Sequence, residues 1–351
     1  MKKIISVIIM LCITFCFVFS MTACSNEKKD ASDTTIVSIA SLIESETSVI
    51  SKAQEQPLKF EFNPYVLTSE YKDLYGDEFI QGYENFVFAY LNYENEFLCS
   101  SVDYAYLIIS MQAYNFPLFN SDAYFDYDNL YDAQTGTMYI YYLSKSKEQH
   151  DELISSFVDN LSELTENNVM QNHNDLIKAV SIYRAFSSKV SYNYDALNSE
   201  TIVDVSPYNA IMNYNGICQS FAGAYTYLLL QLGIDANTCT GTTYDNSTAH
   251  EWTILKLDEK YYYADPTFEN ADTGGYGLMY FGITTQEREY AGNYNPQFFN
   301  IGSTNEIWAR DYDISDTRFA QLRTCLSFEI DHATNSVVCF DENGSEYIMI
   351  S

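Results

Sequence analysis

Hydrophobic and polar positions follow a helical rhythm through the first half of the chain. Apolar residues recur every three to four positions over residues 69–93, 101–114, 145–164 and 172–188, and each run predicts a helix. Alternation over residues 138–142 predicts a short strand among them. This part of the chain is therefore expected to be rich in helix.

The pattern changes from helix to strand after Gly233. Residues 220–232 form a strongly apolar run that predicts a buried helix, and Gly233 is placed to cap its C-terminus. The turn Asp258-Glu259 joins two of the strand-like runs that follow. These runs cover residues 237–243, 250–257, 260–264 and 278–283, with further ones at 326–330, 336–340 and 347–350. A helix followed by hairpin strands predicts an α+β fold.

The N-terminus has the pattern of an export signal. Lys2-Lys3 precedes an apolar run over residues 4–21. The run leads into Met21-Thr22-Ala23-Cys24 and then a polar stretch, which resembles the lipobox of bacterial lipoproteins. The resemblance implies that Cys24 is lipidated and becomes the mature N-terminus, whereas an uncleaved signal anchor is the alternative. Both readings place the folded part on the extracytoplasmic face of the cell membrane.

Composition and charge exclude some classes of function. Hydrophobic residues make up 47% of the chain and charged residues 19%, so it can bury a core. The net charge of −30 repels nucleic acid, which excludes that class of partner. A solvated, self-repelling surface explains the charge better than attraction to basic partners. Likewise, core packing explains the 32 tyrosines better than a sugar-binding platform does.

The cysteines after the signal do not form a regular framework. Cys99, Cys218, Cys239, Cys325 and Cys339 are an odd set at irregular spacing, and no Cys-x-x-Cys suggests a zinc ribbon or a redox pair. At least one thiol is therefore expected to be free. A disulfide between Cys325 and Cys339 across a hairpin stays open at this point.

One of these cysteines has the setting of a nucleophile. Cys218 lies at the first turn of the apolar helix, where free backbone N–H groups and the helix dipole stabilise a thiolate. The N–H of Cys218 can also donate to an oxyanion, and Gly216 lets the backbone or a substrate come close.

A base and an orienting acid follow on neighbouring strands. His250 opens one strand and Asp265 follows the next, so the hairpin turn can bring the two to the same end. The imidazole would take the thiol proton and later protonate the leaving group, while the carboxylate holds the ring in the right tautomer.

Three blocks in this order resemble the transglutaminase-like family. They read Gly216-Ile217-Cys218, His250-Glu251-Trp252 and Tyr262-Tyr263-Ala264-Asp265-Pro266-Thr267, within a resemblance that covers about residues 172–283. The resemblance implies a papain-like core, in which the nucleophile helix packs on an antiparallel sheet. It also implies an acyl-enzyme mechanism with Cys218, His250 and Asp265 as the catalytic triad.

The resemblance completes the expected domain organisation. A signal peptide at 1–23 and a flexible tether at 24–56 precede a helix-rich aromatic segment at 57–168, a transglutaminase-like catalytic domain at 169–305 and a short C-terminal β segment at 306–351.

The chain departs from the family pattern at a few positions. Glu251 stands where Ala is frequent, Thr253 stands where Asn is common, and Met212 occupies the place of the oxyanion-binding Gln of papain-like proteases. The second oxyanion donor therefore stays open.

Other residues around the triad have weaker assignments. Tyr214, Asn215 and Gln219 are candidates for the second oxyanion donor, and Trp252 either contacts substrate or packs beside the triad. A metal site made of the triad residues lacks the spacing of zinc ligands, so no metal is expected. His150, His173 and His332 lie in no comparable setting and are expected at the surface.

These patterns favour a surface-anchored cysteine peptidase or amidase that needs no cofactor. Its expected partners are a protein or peptide substrate, of which a cell-wall peptide is one candidate, and the membrane through the lipid on Cys24. A cross-linking transglutaminase uses the same triad, and a non-catalytic module that binds protein or cell-wall polymer is the alternative of another class.

Overall fold

The computed structural model describes residues 56–196, 199, 203–242, 249–287, 295–299, 312–332 and 334–350. All of them fall in one unit of the chain, Ala53–Ser351. The predicted signal peptide, the acceptor Cys24 and nearly all of the predicted tether lie outside the described residues. Within the described part, no helix is both long and apolar enough to cross a membrane.

The N-terminal segment consists of helices joined by short strands. The helix α1 (Ser69–Leu91) bends at Gly76, and α2 (Val102–Asn115) and α3 (Lys147–Glu166) begin after serine caps. The strands are β1 (Glu96–Leu98), β2 (Ala123–Tyr124), β3 (Tyr131–Asp132), β4 (Thr137–Tyr139) and β5 (Tyr141–Tyr142). The predicted helices are confirmed, with ends that move by about two residues.

The alternating run at residues 138–142 is divided between two sheets. β4 pairs with β1 and β3, whereas β5 pairs with β2. Met138 and Ile140 are both buried, and the N–H of Ile140 donates to the carbonyl oxygen of Asn95. The prediction of one strand is wrong because alternation records which side chains are buried, and not which strand each residue pairs with.

The second part of the chain is built around a helix that is buried on all sides. The elements here are α4 (Asp175–Ser187), β6 (Ser191–Tyr192), α5 (Pro207–Asn213), β7 (Asn215–Gly216) and α6 (Cys218–Gln231). Every residue of α6 from Ser220 to Gln231 is buried, and Gly233 follows the helix with a φ of 79°. β6 and β7 pair in parallel just before α6 begins.

An antiparallel sheet covers one side of α6. Its order is β11-β10-β9-β8-β12, and α6 packs against β8 and β9. The strands are β8 (Ala236–Thr242), β9 (Ala249–Leu257), β10 (Lys260–Ala264), β11 (Phe281–Ile283) and β12 (Asn295–Phe299), with α7 (Pro266–Thr273) after β10. Asp258 and Glu259 both have positive φ, as a type I′ hairpin turn requires, so the predicted tight turn is confirmed.

A separate three-stranded antiparallel sheet ends the chain. It consists of β13 (Ser327–Asp331), β14 (Ser336–Phe340) and β15 (Glu346–Ile350). The predicted α+β class and the C-terminal β segment therefore describe the observed fold.

Two thiols lie together beside this sheet. Cys325 and Cys339 are buried, free and close enough to hydrogen-bond. The contact with Cys325, together with burial, holds the pKa of Cys339 well above its usual range. The structure therefore describes this pair as thiols rather than as a disulfide.

The expectation that His150, His173 and His332 lie at the surface is wrong. His150 is fully buried, and its Nδ1 and Nε2 each lie 2.7 Å from an acceptor, Asp122 Oδ2 and the carbonyl oxygen of Tyr90. His173 Nε2 lies 2.8 Å from Nδ1 of the half-buried His332, and burial lowers the pKa of His173 to about 4. Their partners are distant in sequence, so local pattern could not reveal them.

Replacing His150 should destabilise the N-terminal segment. His150→Phe keeps a ring in the cavity but leaves Asp122 and the Tyr90 carbonyl without this donor, which should lower the free energy of unfolding by about 3 to 5 kcal/mol. The measurement is urea denaturation followed by tryptophan fluorescence. Lys147→Ala, which removes an exposed ion pair with Asp151 on the same helix, should leave the midpoint nearly unchanged. Equal midpoints for the two variants would contradict the assigned role of His150.

Candidate active site

Cys218 is the first residue of α6, at the end of the helix that the core does not cover. The residue is half-buried, and the extended residue Ile217 precedes it. The Oγ of Ser220 accepts from the N–H of Ile217 at 3.0 Å and donates to the carbonyl oxygen of Val205 at 2.5 Å. These bonds fix the first turn, and the positive end of the helix dipole lies at Cys218.

Gly216 is required by close packing at the start of this helix. A Cβ on Gly216 would lie 2.3 Å from Cβ of Ser220 and 2.5 Å from its Oγ. Any side chain at position 216 would therefore push against the serine that fixes the first turn. Packing against Ser220 alone therefore explains the glycine at position 216, without any contact to a substrate.

His250 and Asp265 meet across the β9–β10 hairpin. Their Nε2 and Oδ2 atoms lie 2.7 Å apart, and the two residues are only 8% and 1% exposed. The other oxygen of Asp265 accepts from the N–H groups of Thr267 and Phe268 and so caps α7. Each carboxylate oxygen therefore has its own partners, which holds the carboxylate rigidly.

The ring of His250 connects Asp265 to Cys218. Nε2 contacts the carboxylate, and the thiol of Cys218 also interacts with the ring. Burial, the largest single effect, lowers the pKa of His250, but the charge and hydrogen bond of Asp265 and the interaction with Cys218 outweigh it and raise the pKa to about 10. The imidazolium form is therefore favoured at neutral pH, next to the thiol.

Two aromatic rings hold the His250 ring in place. Trp252 stacks beside it with ring centroids 5.8 Å apart, and Phe268 lies 4.8 Å away. Trp252 is 1% exposed, so in this structure it packs beside the triad.

The other candidate residues lie in different surroundings. Tyr214 ends α5 in the left-handed conformation, with its ring beneath the ammonium group of Lys189. The side-chain oxygen of Asn215 accepts from Asn193 at 2.8 Å. Gln219 lines a cavity of about 530 Å³ together with Tyr114 and polar residues of the loop before α5.

Sequence reasoning did not single out Tyr192. Its hydroxyl interacts with the backbone N–H of Cys218 and lies in the field of the Cys218 side chain. The sequence around it marked only the end of α4, and the parallel pairing of β6 with β7 has no local signal.

Glu251 is a buried carboxyl next to the triad. Burial raises its pKa to about 7, against the lowering effects of Thr238, Tyr114 and the charge of His250. Among the residues that the structure describes, no group of three or more His, Cys, Asp and Glu side chains could hold a metal ion.

Comparison with known proteins identifies the domain. Residues 162–266 match the family model of the transglutaminase-like superfamily. No curated protein sequence matches the chain significantly.

Solved structures give weaker similarities. A crystallised TGase is 16% identical over 37% of this chain and 41% of its own, with a TM-score of 0.28. A candidate cysteine protease from Cytophaga hutchinsonii is 19% identical over 33% and 37%, with a TM-score of 0.24. LapG from Legionella pneumophila is 11% identical over 47% and 84%, with a TM-score of 0.29.

The matched region spans less than half the length of the first two of these structures. The transglutaminase-like assignment of residues 162–266 therefore rests on the family model. The three structures do not add to it, because their TM-scores are all under 0.5.

The pairing of His250 with Cys218 should control thiol reactivity. At pH 7, His250→Ala should slow the alkylation of Cys218 by iodoacetamide roughly tenfold, because the thiolate loses its imidazolium partner. The difference should vanish above about pH 10, where the ring loses its proton. The rate is measured by mass spectrometry of the labelled peptide between pH 5 and 11.

The matched control is His332→Ala, which removes a histidine that lies outside this site. It should leave the labelling of Cys218 unchanged at every pH. Labelling of Cys218 that is slow in the parent and insensitive to His250 would show an ordinary packed thiol.

Proposed function

We propose that this chain, whose residues 162–266 form a transglutaminase-like domain, is a cysteine acyl-transfer enzyme that acts on peptide or side-chain amides. One observation carries the proposal. The thiol at the start of α6 faces an imidazole whose far nitrogen is held at 2.7 Å by a buried carboxylate. A packing cysteine needs neither partner, whereas a nucleophile needs both.

In the first step, the sulfur of Cys218 attacks the amide carbonyl carbon while its proton resides on His250. The resulting tetrahedral intermediate carries a negative oxygen, and the N–H of Cys218 is placed to donate to it. The C–N bond then breaks, and His250 gives its proton to the leaving amine. The products of this step are a thioester on Cys218 and a free amine or ammonia.

In the second step, an acceptor resolves the thioester. Water yields a carboxylic acid, and His250 takes the proton of the water as it attacks. An amine yields a new amide by the same route. The triad itself does not choose between them, because access of the acceptor to the thioester decides the outcome. Hydrolysis is the favoured reaction, since water is abundant at a cell surface.

The proposed substrate is a protein or peptide outside the cytoplasm, and a peptide of the cell wall is one candidate. Cys24 would carry the lipid that anchors the enzyme to the membrane. A site on a tethered domain reaches only amides near the cell surface, which restricts the substrates by location rather than by sequence.

Removal of the nucleophile should abolish the reaction. Cys218→Ala should lower amide turnover by more than about 10³-fold, measured as ammonia release from casein or as new amino termini in a peptide library. Adding dansylcadaverine separates the outcomes, because a cross-linking enzyme would incorporate the fluorescent amine. Cys99→Ala removes a buried thiol elsewhere and should retain activity.

A Cys218→Ala protein that is as active as the parent would refute the proposal. Absence of turnover in both proteins, together with slow alkylation of Cys218, would instead favour the non-catalytic binding module.

The proposed anchor has a separate test. Cys24→Ala should either release the protein into the medium or leave it as an uncleaved precursor, since lipidation needs the thiol. Metabolic labelling with an alkyne fatty acid should mark the parent alone. Equal labelling of the two proteins would contradict the assigned lipid site.

A further inference from the structure

An acyl-transfer site needs a second donor for the negative oxygen of the tetrahedral intermediate. The N–H of Cys218 is one donor, but a single donor leaves much of the developing charge unbalanced. The side-chain oxygen of Asn215 contacts Asn193, and Tyr214 ends α5 beneath Lys189. Neither contact places these side chains at the sulfur.

The backbone around Tyr192 is fixed next to Cys218. In the parallel β6–β7 pair, Tyr192 lies opposite Gly216. The N–H of Ser191 donates to the carbonyl oxygen of Tyr214, and the N–H of Asn193 donates to that of Gly216, both at 2.8 Å. Bonds on both sides of Tyr192 thus hold it across from the residues that lead into α6.

The side chain of Tyr192 packs onto the first turn of this helix. Its ring centroid lies 6.0 Å from that of Phe221, one turn beyond Cys218. The hydroxyl interacts with the N–H of Cys218 and lies in the fields of the Cys218 and Asp265 side chains. The hydroxyl therefore lies beside the N–H that would bind the oxyanion.

A phenol at this place is available as a donor. Burial, reinforced by the charge of Cys218, raises the pKa of Tyr192 to about 12, so its proton stays on the oxygen throughout the neutral range. Rotation about the C–O bond turns this proton towards an incoming carbonyl.

We propose that the hydroxyl of Tyr192 is the second oxyanion donor and that it acts together with the N–H of Cys218. This inference rests on the proposed function, because it assigns a catalytic residue for the same reaction. The carbonyl oxygen of the substrate enters between the two groups and accepts from the N–H of Cys218. The hydroxyl then turns its proton to the same oxygen, and both bonds shorten as the negative charge develops.

Two probes of Cys218 separate this role from a structural one. Iodoacetamide alkylates the thiol without an oxyanion, whereas p-nitrophenyl acetate acylates it through a tetrahedral intermediate. Tyr192→Phe removes only the hydroxyl. It should lower the acylation rate by roughly 10²-fold while alkylation stays within about twofold of the parent.

Tyr194→Phe is the matched control, because this neighbouring ring packs against Tyr192 with centroids 4.8 Å apart and Tyr194 is 69% exposed. It should change neither rate. Thermal unfolding of the three proteins checks that Tyr192→Phe is folded, and the unchanged alkylation rate reports an intact ion pair.

The outcomes are distinct. Unchanged acylation in Tyr192→Phe, or an equal fall in both rates, would overturn the assignment of Tyr192 while leaving the acyl-transfer function in place. A parent that p-nitrophenyl acetate acylates no faster than Cys218→Ala would overturn the proposed function itself, and this inference with it.

Discussion

Burial of helix α6 on all sides is the constraint on which the rest of this domain depends. The helix has no polar face from Ser220 to Gln231, so the sheet must cover one side and α2, α4 and α5 the others. Only its ends can reach polar surroundings. Gly233 closes one end, and the free N–H groups of the other end lie beside a half-buried Cys218. The position of Cys218 at the accessible end of the helix thus follows from the way its middle is packed.

The partners of Cys218 are set by one hairpin turn. With Asp258 and Glu259 in the left-handed conformation, the β9–β10 register pairs Ala264 with Thr253, and the side chains of His250 and Asp265 meet just beyond this pair. A slip of one residue would turn each side chain of β10 to the other face of the sheet. Asp265 also caps α7, so the same carboxylate that orients the imidazole holds the next helix. Stability and the geometry of the site therefore depend on the same contacts.

Local patterns were sufficient for much of this fold. The buried helix, the tight hairpin and the positions of Cys218, His250 and Asp265 all lie within short segments whose spacing carries the information. Contacts between distant segments were not accessible in this way. His150 appeared to be a surface residue because Asp122, its partner, is 28 residues away in the turn before β2. Tyr192 gains its place through parallel pairing with β7. A parallel pair of two-residue strands leaves no periodic signal at all.

Glu251, which stands where the family frequently has Ala, adds an ionisable group that interacts with His250. Side chains alternate along β9, so Glu251 shares a face with Thr253, whose hydroxyl donates to the carbonyl oxygen of Ala222 on α6. The charge of His250 lowers the pKa of Glu251, and because the interaction is mutual, an ionised Glu251 favours the imidazolium. With a pKa of about 7, this carboxyl is half ionised at neutral pH. Asp265 orients the imidazolium, whereas the charge of Glu251 stabilises it only as the pH rises through neutrality.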